Sequence, residues 1–339
     1  MIESNFENLH RIVTPEKTDP VIFETNLRPK NLNEYIGQDL LKSNLRIALQ
    51  ACKKRKEALD HVLLHGSPGL GKTTLANIIA TELGTGFKIT SGPALDKASD
   101  LVSIISNLKE NDVLFIDEIH RLKAIIEEVL YTAMEDFAID IIIGKGPTAR
   151  SMRINLPRFT LIGATTKVSM LSSPLRDRFG NVYNFENYTF DEINKIIIRS
   201  ANILKIDLSP ESSAYLSKCS RFTPRVANRL LKRVRDFAQV KSRDSIDISL
   251  LTEALNSLGI DELGLDNKDR IVLKTIAEKF KGGPVGLNTL AVALSDEENT
   301  VEDIYEPYLI QLGFLLRTPR GRMLTDNAYR HLKISNILN

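Results

Sequence analysis

Cysteine is nearly missing from this sequence. Only Cys52 and Cys219 occur among 339 residues. They lie far apart and fit no ligand spacing, which excludes a disulfide scaffold and a thiolate cage and leads us to expect a reduced, cytoplasmic setting. The five histidines are not read as a metal cage either. Long apolar runs are absent: no uncharged stretch approaches the ~20 residues that cross a bilayer. No secretion leader is expected, because Glu3 and Glu7 stand where positive charge is needed. Repeats and low-complexity tracts are lacking. Neither charge sign is in large excess, the formal net charge being +2. That balance leaves nucleic acid open as a partner, since a near-neutral protein can be basic on one face.

What is present is an ordinary globular composition, 42% apolar and 26% charged, in a chain long enough for two or three domains. Residues 1–26 read as a polar arm. A helical stretch then runs through Lys56, with Leu41, Leu45, Ala48 and Leu49 on one face. Short apolar strands are expected at 62–65, 113–116 and 159–164, with a helix from Thr73 to Leu83 and other helices between the strands. This alternation predicts an α/β fold with a mostly parallel sheet covered on both faces. Ile139–Ile154 reads as a β-hairpin turning at Gly144-Lys145-Gly146-Pro147. From Thr189 to about Gly259 strand signals vanish. Asp191, Ser209-Pro210-Glu211 and Thr223-Pro224 mark helix starts of a small all-α domain. Helical patterns at about 267–280, 287–294 and 300–312 then precede Phe314–Thr318 and Arg322–Thr325, which predicts a winged helix. The expected domains are 1–187, 188–259 and 260–339.

Gly66-Ser67-Pro68-Gly69-Leu70-Gly71-Lys72-Thr73 fits G-x-x-x-x-G-K-S/T between a strand and a helix, the context a phosphate-binding loop requires. Glycines turn backbone N–H groups toward phosphates and the helix adds its positive end. Lys72 is expected to reach the β- and γ-phosphates and Thr73 to offer its hydroxyl to Mg2+. Asp117 and Glu118 close the second strand. A carboxylate there completes the Mg2+ shell and Glu118 is placed to orient an attacking water; an exposed acidic strand end is the plain alternative. Thr165-Thr166 closes the third strand, and senses the γ-phosphate or caps the next helix. Arg176-Asp177-Arg178 offers an arginine finger to a neighbouring subunit's nucleotide, or a surface ion pair. Arg225 opens a helix whose Arg229, Lys232, Arg233 and Arg235 read as a solvated face over a stripe of Ala227, Leu230, Leu231, Val234 and Phe237. Arg317, Arg320 and Arg322 surround the terminal turn, for DNA phosphates or for solubility. The apolar hairpin suits a protein partner or core packing.

With Asp112–Leu122, Glu127–Asp136, Phe159–Thr166, Pro174–Gly180, Thr223–Phe237, Gly282–Gly286 and Glu306–Gln311, these stretches make the chain resemble the RuvB family of AAA+ ATPases. The likeness runs from Leu27-Arg28-Pro29 to Thr318-Pro319-Arg320-Gly321-Arg322. It implies a motor for branch migration of Holliday junctions, with a large and a small ATPase domain and a winged-helix head. It also implies a ring, usually a hexamer, on duplex DNA at four-way junctions. ATP and Mg2+ are then expected at Gly69, Gly71, Lys72, Thr73 and Thr74, with the metal on Thr73 and Asp117 and the acidic pair completed by Glu118. Thr166, beside Thr165, matches the first sensor, Arg178 the finger and Arg225 the second sensor. Leu27, Arg28, Glu135, Asp136, Phe137 and Tyr188 match positions lining the nucleotide. Arg317 and Arg322 match DNA contacts of the head. The hairpin 139–154 matches the ribbon that docks on RuvA, the junction-binding partner, and RuvC, the resolving nuclease, is a further expected associate.

The sequence departs from the family pattern at Ser67, where proline is expected, and at Phe222, where glycine is. Lys167-Val168-Ser169 replaces Arg-Ala-Gly, and Lys145 stands where an acid is expected. Three rivals share the phosphate loop. An unfoldase needs an aromatic pore loop, and none is evident. A small-molecule kinase fits Asp117-Glu118 poorly. A nucleotide-gated DNA loader is separated only by a test of junction movement.

Overall fold

The computed structural model describes residues 27–143 and 150–334. The chain packs as two bodies. One holds the described residues to Tyr35, Lys42–Leu64 and Lys72–Val182; the other holds Ile36–Leu41, His65–Gly71 and the chain from Tyr183 on.

After α1 (Asp39–Arg55) come β1 (Val62–His65), α2 (Lys72–Leu83), β2 (Phe87–Ser91), α3 (Ala98–Ile105), β3 (Val113–Asp117) and α4 (Ala124–Glu135). A hairpin, β4 (Ala138–Ile143) and β5 (Arg150–Asn155), precedes β6 (Thr160–Thr165), α5 (Ser173–Asp177) and β7 (Asn181–Asn184). Five strands form a sheet in the order β2-β3-β6-β1-β7, with β3 parallel to both β2 and β6. Val113–Ile116 and Leu161-Ile162 are fully buried, as strands covered on both faces must be. Leu101, Ile105, Leu114, Ile116, Ile126, Leu130 and Ala133 share one core, so α3 and α4 pack on the sheet through their apolar stripes.

The hairpin pairs Ala138 with Asn155 through Ile143 with Arg150. Its base, Ala138 and Ile139, is buried, whereas Met152 is exposed. Core packing therefore holds at Ala138 and Ile139 and not at Met152. The turn with Lys145, and residues 1–26, lie outside the described residues. His61 and His65 stand four apart in sequence, a ligand spacing on a helix. Here the segment is strand, and His61 donates through Nε2 to Met134 O and accepts from Leu161 N at Nδ1. Burial pushes its pKa down, which keeps the ring neutral and structural.

The second body contains a helical segment and a winged helix. α6 (Phe190–Leu204) starts at Thr189, not at Asp191 as expected. Thr189 and Glu192 form a capping box, and Asp191 lies within the first turn. α7 (Pro210–Lys218) is capped by Ser209. A two-residue parallel ladder, β8 (Asp207–Leu208) with β9 (Ser245–Ile246), flanks α8 (Pro224–Val240) and precedes α9 (Ile248–Ser257). It is too short to leave an alternating pattern, which is why the region read as purely helical. α8 buries Ala227, Leu230, Leu231, Val234 and Ala238, with Phe237 only half-buried.

The winged helix comprises α10 (Asn267–Lys279), α11 (Leu287–Leu294), α12 (Glu306–Gln311), β10 (Leu315–Thr318), β11 (Gly321–Leu324) and α13 (Asp326–Leu332). The expected helix at 300–312 runs without a break from Glu298 to Gln311. A π turn, Val301–Tyr305, precedes α12. Leu273, Ile276, Leu290, Leu309, Leu315 and Tyr329 form the core, and Phe222 packs against it from the preceding segment. Arg221 beside it donates to Gly264 O at 3.0 Å, Asp266 Oδ2 at 3.2 Å and Asp269 Oδ2 at 2.5 Å. The guanidinium also lies 5.0 Å from the centroid of the Tyr308 ring.

Candidate functional site

In the second body, the loop after β1 winds through left-handed backbone at Gly66, Gly69 and Gly71, which glycine alone adopts at no steric cost. A Cβ on Gly69 would stand 3.1 Å from the Cβ of Arg225. The backbone N–H of Arg225 donates to Gly69 O at 3.4 Å. Tyr188 is buried and its phenol donates to Leu70 O at 3.1 Å. Thus Tyr188 and Arg225, expected near the nucleotide, both meet the loop. Arg225 is exposed in the first turn of α8, where the helix dipole also favours an anion.

In the first body, Lys72 opens α2 and is buried. Thr74 is half-buried in the same turn. Thr73 Oγ1 donates to Asp117 Oδ2 at 3.5 Å, and Asp117 Oδ1 accepts from Glu118 N at 3.0 Å. This donor set fits Mg2+. One hydroxyl and one carboxylate are hard oxygen donors of the kind that would hold it, and no cluster of three or more His, Cys, Asp or Glu residues occurs among the described residues. Glu118 adopts a left-handed backbone, is exposed, and pairs with Arg121 at 3.1 Å. Leu27 is buried and Arg28 exposed.

The two threonines separate clearly. Thr165 is buried; its hydroxyl accepts from Lys167 N at 3.0 Å and lies 3.0 Å from His120 Nδ1. It therefore shapes the turn, close to the capping alternative. Thr166 is exposed and is the one presented at the strand end. Burial pushes the His120 pKa down, partly against the nearby Glu118 charge.

The two arginines separate as well. Arg176 makes the surface contact with Asp177, at 4.0 Å. Arg178 instead pairs with Glu135 at 3.0 Å, donates to Pro174 O at 2.6 Å and stacks on Tyr131. Glu135, Asp136 and Phe137 are thus engaged by three different groups. Asp136 takes Arg153 of the hairpin at 2.7 Å, and Phe137 sits edge-on to Phe159 with ring centroids 5.9 Å apart.

At the wing, Arg317 is exposed and pairs with Glu302, and Arg320 is exposed at the turn. Arg322, expected as a DNA-facing arginine, is buried and held by both oxygens of Glu306.

Comparison of the sequence with known families matches residues 27–185 to the Holliday junction DNA helicase RuvB P-loop domain, 188–261 to the RuvB AAA lid domain, and 262–333 to the RuvB C-terminal winged helix domain. The chain belongs to the RuvB family. The Holliday junction branch migration complex subunit RuvB of Chloroflexus aggregans is 56% identical over 323 residues, spanning 95% of this chain and 92% of that one. The RuvB Holliday junction branch migration motor of Thermotoga maritima matches with a TM-score of 0.83 at 50% identity, over 91% of this chain and 99% of that chain. The ORC2 protein of Aeropyrum pernix, 18% identical with a TM-score of 0.57, shares the fold alone. As a RuvB this chain is a P-loop AAA+ ATPase of the branch-migration motor class, with a parallel-sheet domain, a lid and a winged helix.

Sequence reasoning missed several residues around this RuvB site. His120, Glu127, Tyr131 and Ser172 stand beside Thr165 or Arg178, yet none belongs to a phosphate-loop motif. The four-residue spacing of Glu127, Tyr131 and Glu135 was the available signal for the last group. Arg221 was passed over in favour of Phe222, although the two are adjacent at the joint.

Proposed function

We propose that this RuvB works as a ring, usually hexameric, on duplex DNA at four-way junctions in the cytoplasm, with domain limits near 1–187, 188–259 and 260–339. ATP lies across the loop, with Gly69, Gly71, Lys72, Thr73 and Thr74 at its phosphates, and with Leu27, Arg28, Tyr188 and Arg225 around it. Thr73 and Asp117 hold Mg2+, which when bound neutralises charge on the phosphoryl group being transferred. Glu118 orients water and Thr166 reports the γ-phosphate. The hairpin 139–154 docks on RuvA, RuvC joins for resolution, and Arg317 with Arg320 faces DNA.

The observation that carries this reading is the placement of Arg178. Its partners are Glu135, Pro174 and Tyr131, none of them in the phosphate loop, which suits a group that acts on a neighbour's nucleotide. Glu135–Phe137 then accompanies the finger toward that same neighbour.

The decisive experiment is ATP-dependent movement of a synthetic four-way junction, with and without RuvA. Lys72→Ala is expected to abolish it together with ATP turnover. Turnover without junction movement under either condition would favour a loader.

A further inference from the structure

Arg178 ends a short arm that is fastened at both ends to one helix. α5 has five residues, too few to hold a shape unaided. Its start is tied by Ser172, whose hydroxyl accepts from Leu175 N at 3.4 Å and donates to Glu127 Oε2 at 2.6 Å. Glu127 is a buried carboxylate. The Tyr131 hydroxyl lies 2.8 Å from both Glu127 Oε2 and Ser172 Oγ. At the other end of the arm, the Arg178 guanidinium lies over the Tyr131 ring, 4.7 Å from its centroid. Beyond it Arg178 meets Glu135 at 3.0 Å. Glu127, Tyr131 and Glu135 recur every four residues and so line one face of α4.

The contacts of Arg178 with Glu135 and Tyr131 are unequal. Glu135 is largely exposed, so its pair with Arg178 is screened by water and salt and is exchangeable for a phosphate. The Tyr131 ring is different. It is half-buried, its hydroxyl is anchored, and a π face directs a guanidinium without competing with an incoming anion. Arg178 Nε is buried without a partner, so its hydrogen-bonding capacity is not saturated in this arrangement.

We propose that Tyr131 is a positioning residue for the finger: its ring sets the plane and reach of Arg178, while Glu127 and Ser172 fix the root of the arm. This inference rests on the reading of Arg178 as a finger acting on the next subunit. Without the ring, Arg178 samples many rotamers and reaches the neighbour's phosphate in only a fraction of them. Misplacement by about 1 Å costs on the order of a hundredfold in rate.

The test uses the full chain assembled on DNA. Tyr131→Leu is expected to lower kcat for ATP by roughly tenfold to a hundredfold, with nucleotide affinity close to wild type and a melting temperature close to that of Tyr131→Phe, which loses the same hydroxyl. Tyr131→Phe, which keeps the π face, is expected to retain most of the activity. Should the leucine variant fail to fold, Tyr131→Met replaces it.

Mixing supplies a readout that a structural defect does not move. Tyr131→Leu subunits keep an intact nucleotide site, and Lys72→Ala subunits keep an intact finger. Mixed assemblies are therefore expected to hydrolyse several-fold faster than either variant alone. Absence of recovery in the mixture, or wild-type kcat for Tyr131→Leu, overturns the proposal. Arg178→Ala separates the two layers. Wild-type turnover in that variant sinks the finger reading itself. A loss there alongside normal Tyr131→Leu sinks only the role of Tyr131.

Discussion

Arg322 and Glu306 form a buried, two-pronged ion pair, with Nε 2.5 Å from Oε1 and Nη2 3.1 Å from Oε2. The side chains are 8% and 1% exposed. An arginine held in this way braces β11 against α12. Glu306→Ala strands the charge and is expected to destabilise the protein by about 3–5 kcal/mol, read by denaturant melting. Arg317→Ala, at an exposed position, is expected to leave melting unchanged, weaken DNA binding and reduce the salt slope by about one. The opposite pattern, with Arg322→Ala affecting DNA but not stability, would mean that the wing opens on DNA.

Arg221 is the main counter-charge to Asp269, which is fully buried. Arg221→Ala is therefore expected to cost about 3–5 kcal/mol at neutral pH. Burial already pushes the Asp269 carboxyl from 3.8 up to about 6, against the pull of Arg221 and with Asp266 nearby adding to the rise. A carboxyl whose pKa is raised on folding favours the folded state at low pH, and that stability is lost as pH rises from the unfolded value through the folded one. In the variant the folded pKa rises further, so its deficit relative to the parent is expected to shrink on acidification. A deficit that grows toward acid pH would exclude this account.

Phe222 has a left-handed backbone, φ +55°, and packs on the winged-helix core. Phe222→Ala loses the packing and keeps the strain, and is expected to cost about 1–3 kcal/mol. Phe222→Gly is expected to recover roughly 1 kcal/mol of that, because glycine adopts the conformation freely. Thermal melting of the two variants orders them directly; a glycine variant below alanine would remove the strain argument.

Thr165 and Thr166 are expected to respond differently to valine. Thr165→Val deletes a buried hydroxyl with two partners and should destabilise by about 1–3 kcal/mol. Thr166→Val should leave melting intact and lower ATP turnover. Normal turnover in Thr166→Val would show that Thr166 does not report the γ-phosphate.

The phosphate loop was legible because a tight turn at phosphates demands glycine at fixed offsets, and no other residue substitutes. The sheet was legible because Val113–Ile116 is apolar throughout and Phe159–Ala164 carries a single polar residue, Thr160, as doubly covered strands allow. The burial of Arg322 was not legible because a charged letter on a hairpin suggests solvent, and its partner Glu306 lies sixteen residues upstream on another element. Arg178 and Arg176 are indistinguishable as letters. They part only where α5 turns one toward Tyr131 and leaves the other beside Asp177. The π turn at Val301–Tyr305 left no mark in the sequence because the apolar residues around it keep helical spacing.

α4 starts six residues after Glu118 and ends at Glu135, beside Arg178. Its twelve residues contain neither glycine nor proline, so it behaves as a rod of roughly 18 Å. One end follows Asp117 and Glu118, and the other carries the mounting of Arg178. On the proposed reading, in which that arginine serves the next subunit, a tilt of the rod would move both together, and one turnover would be passed mechanically to the next.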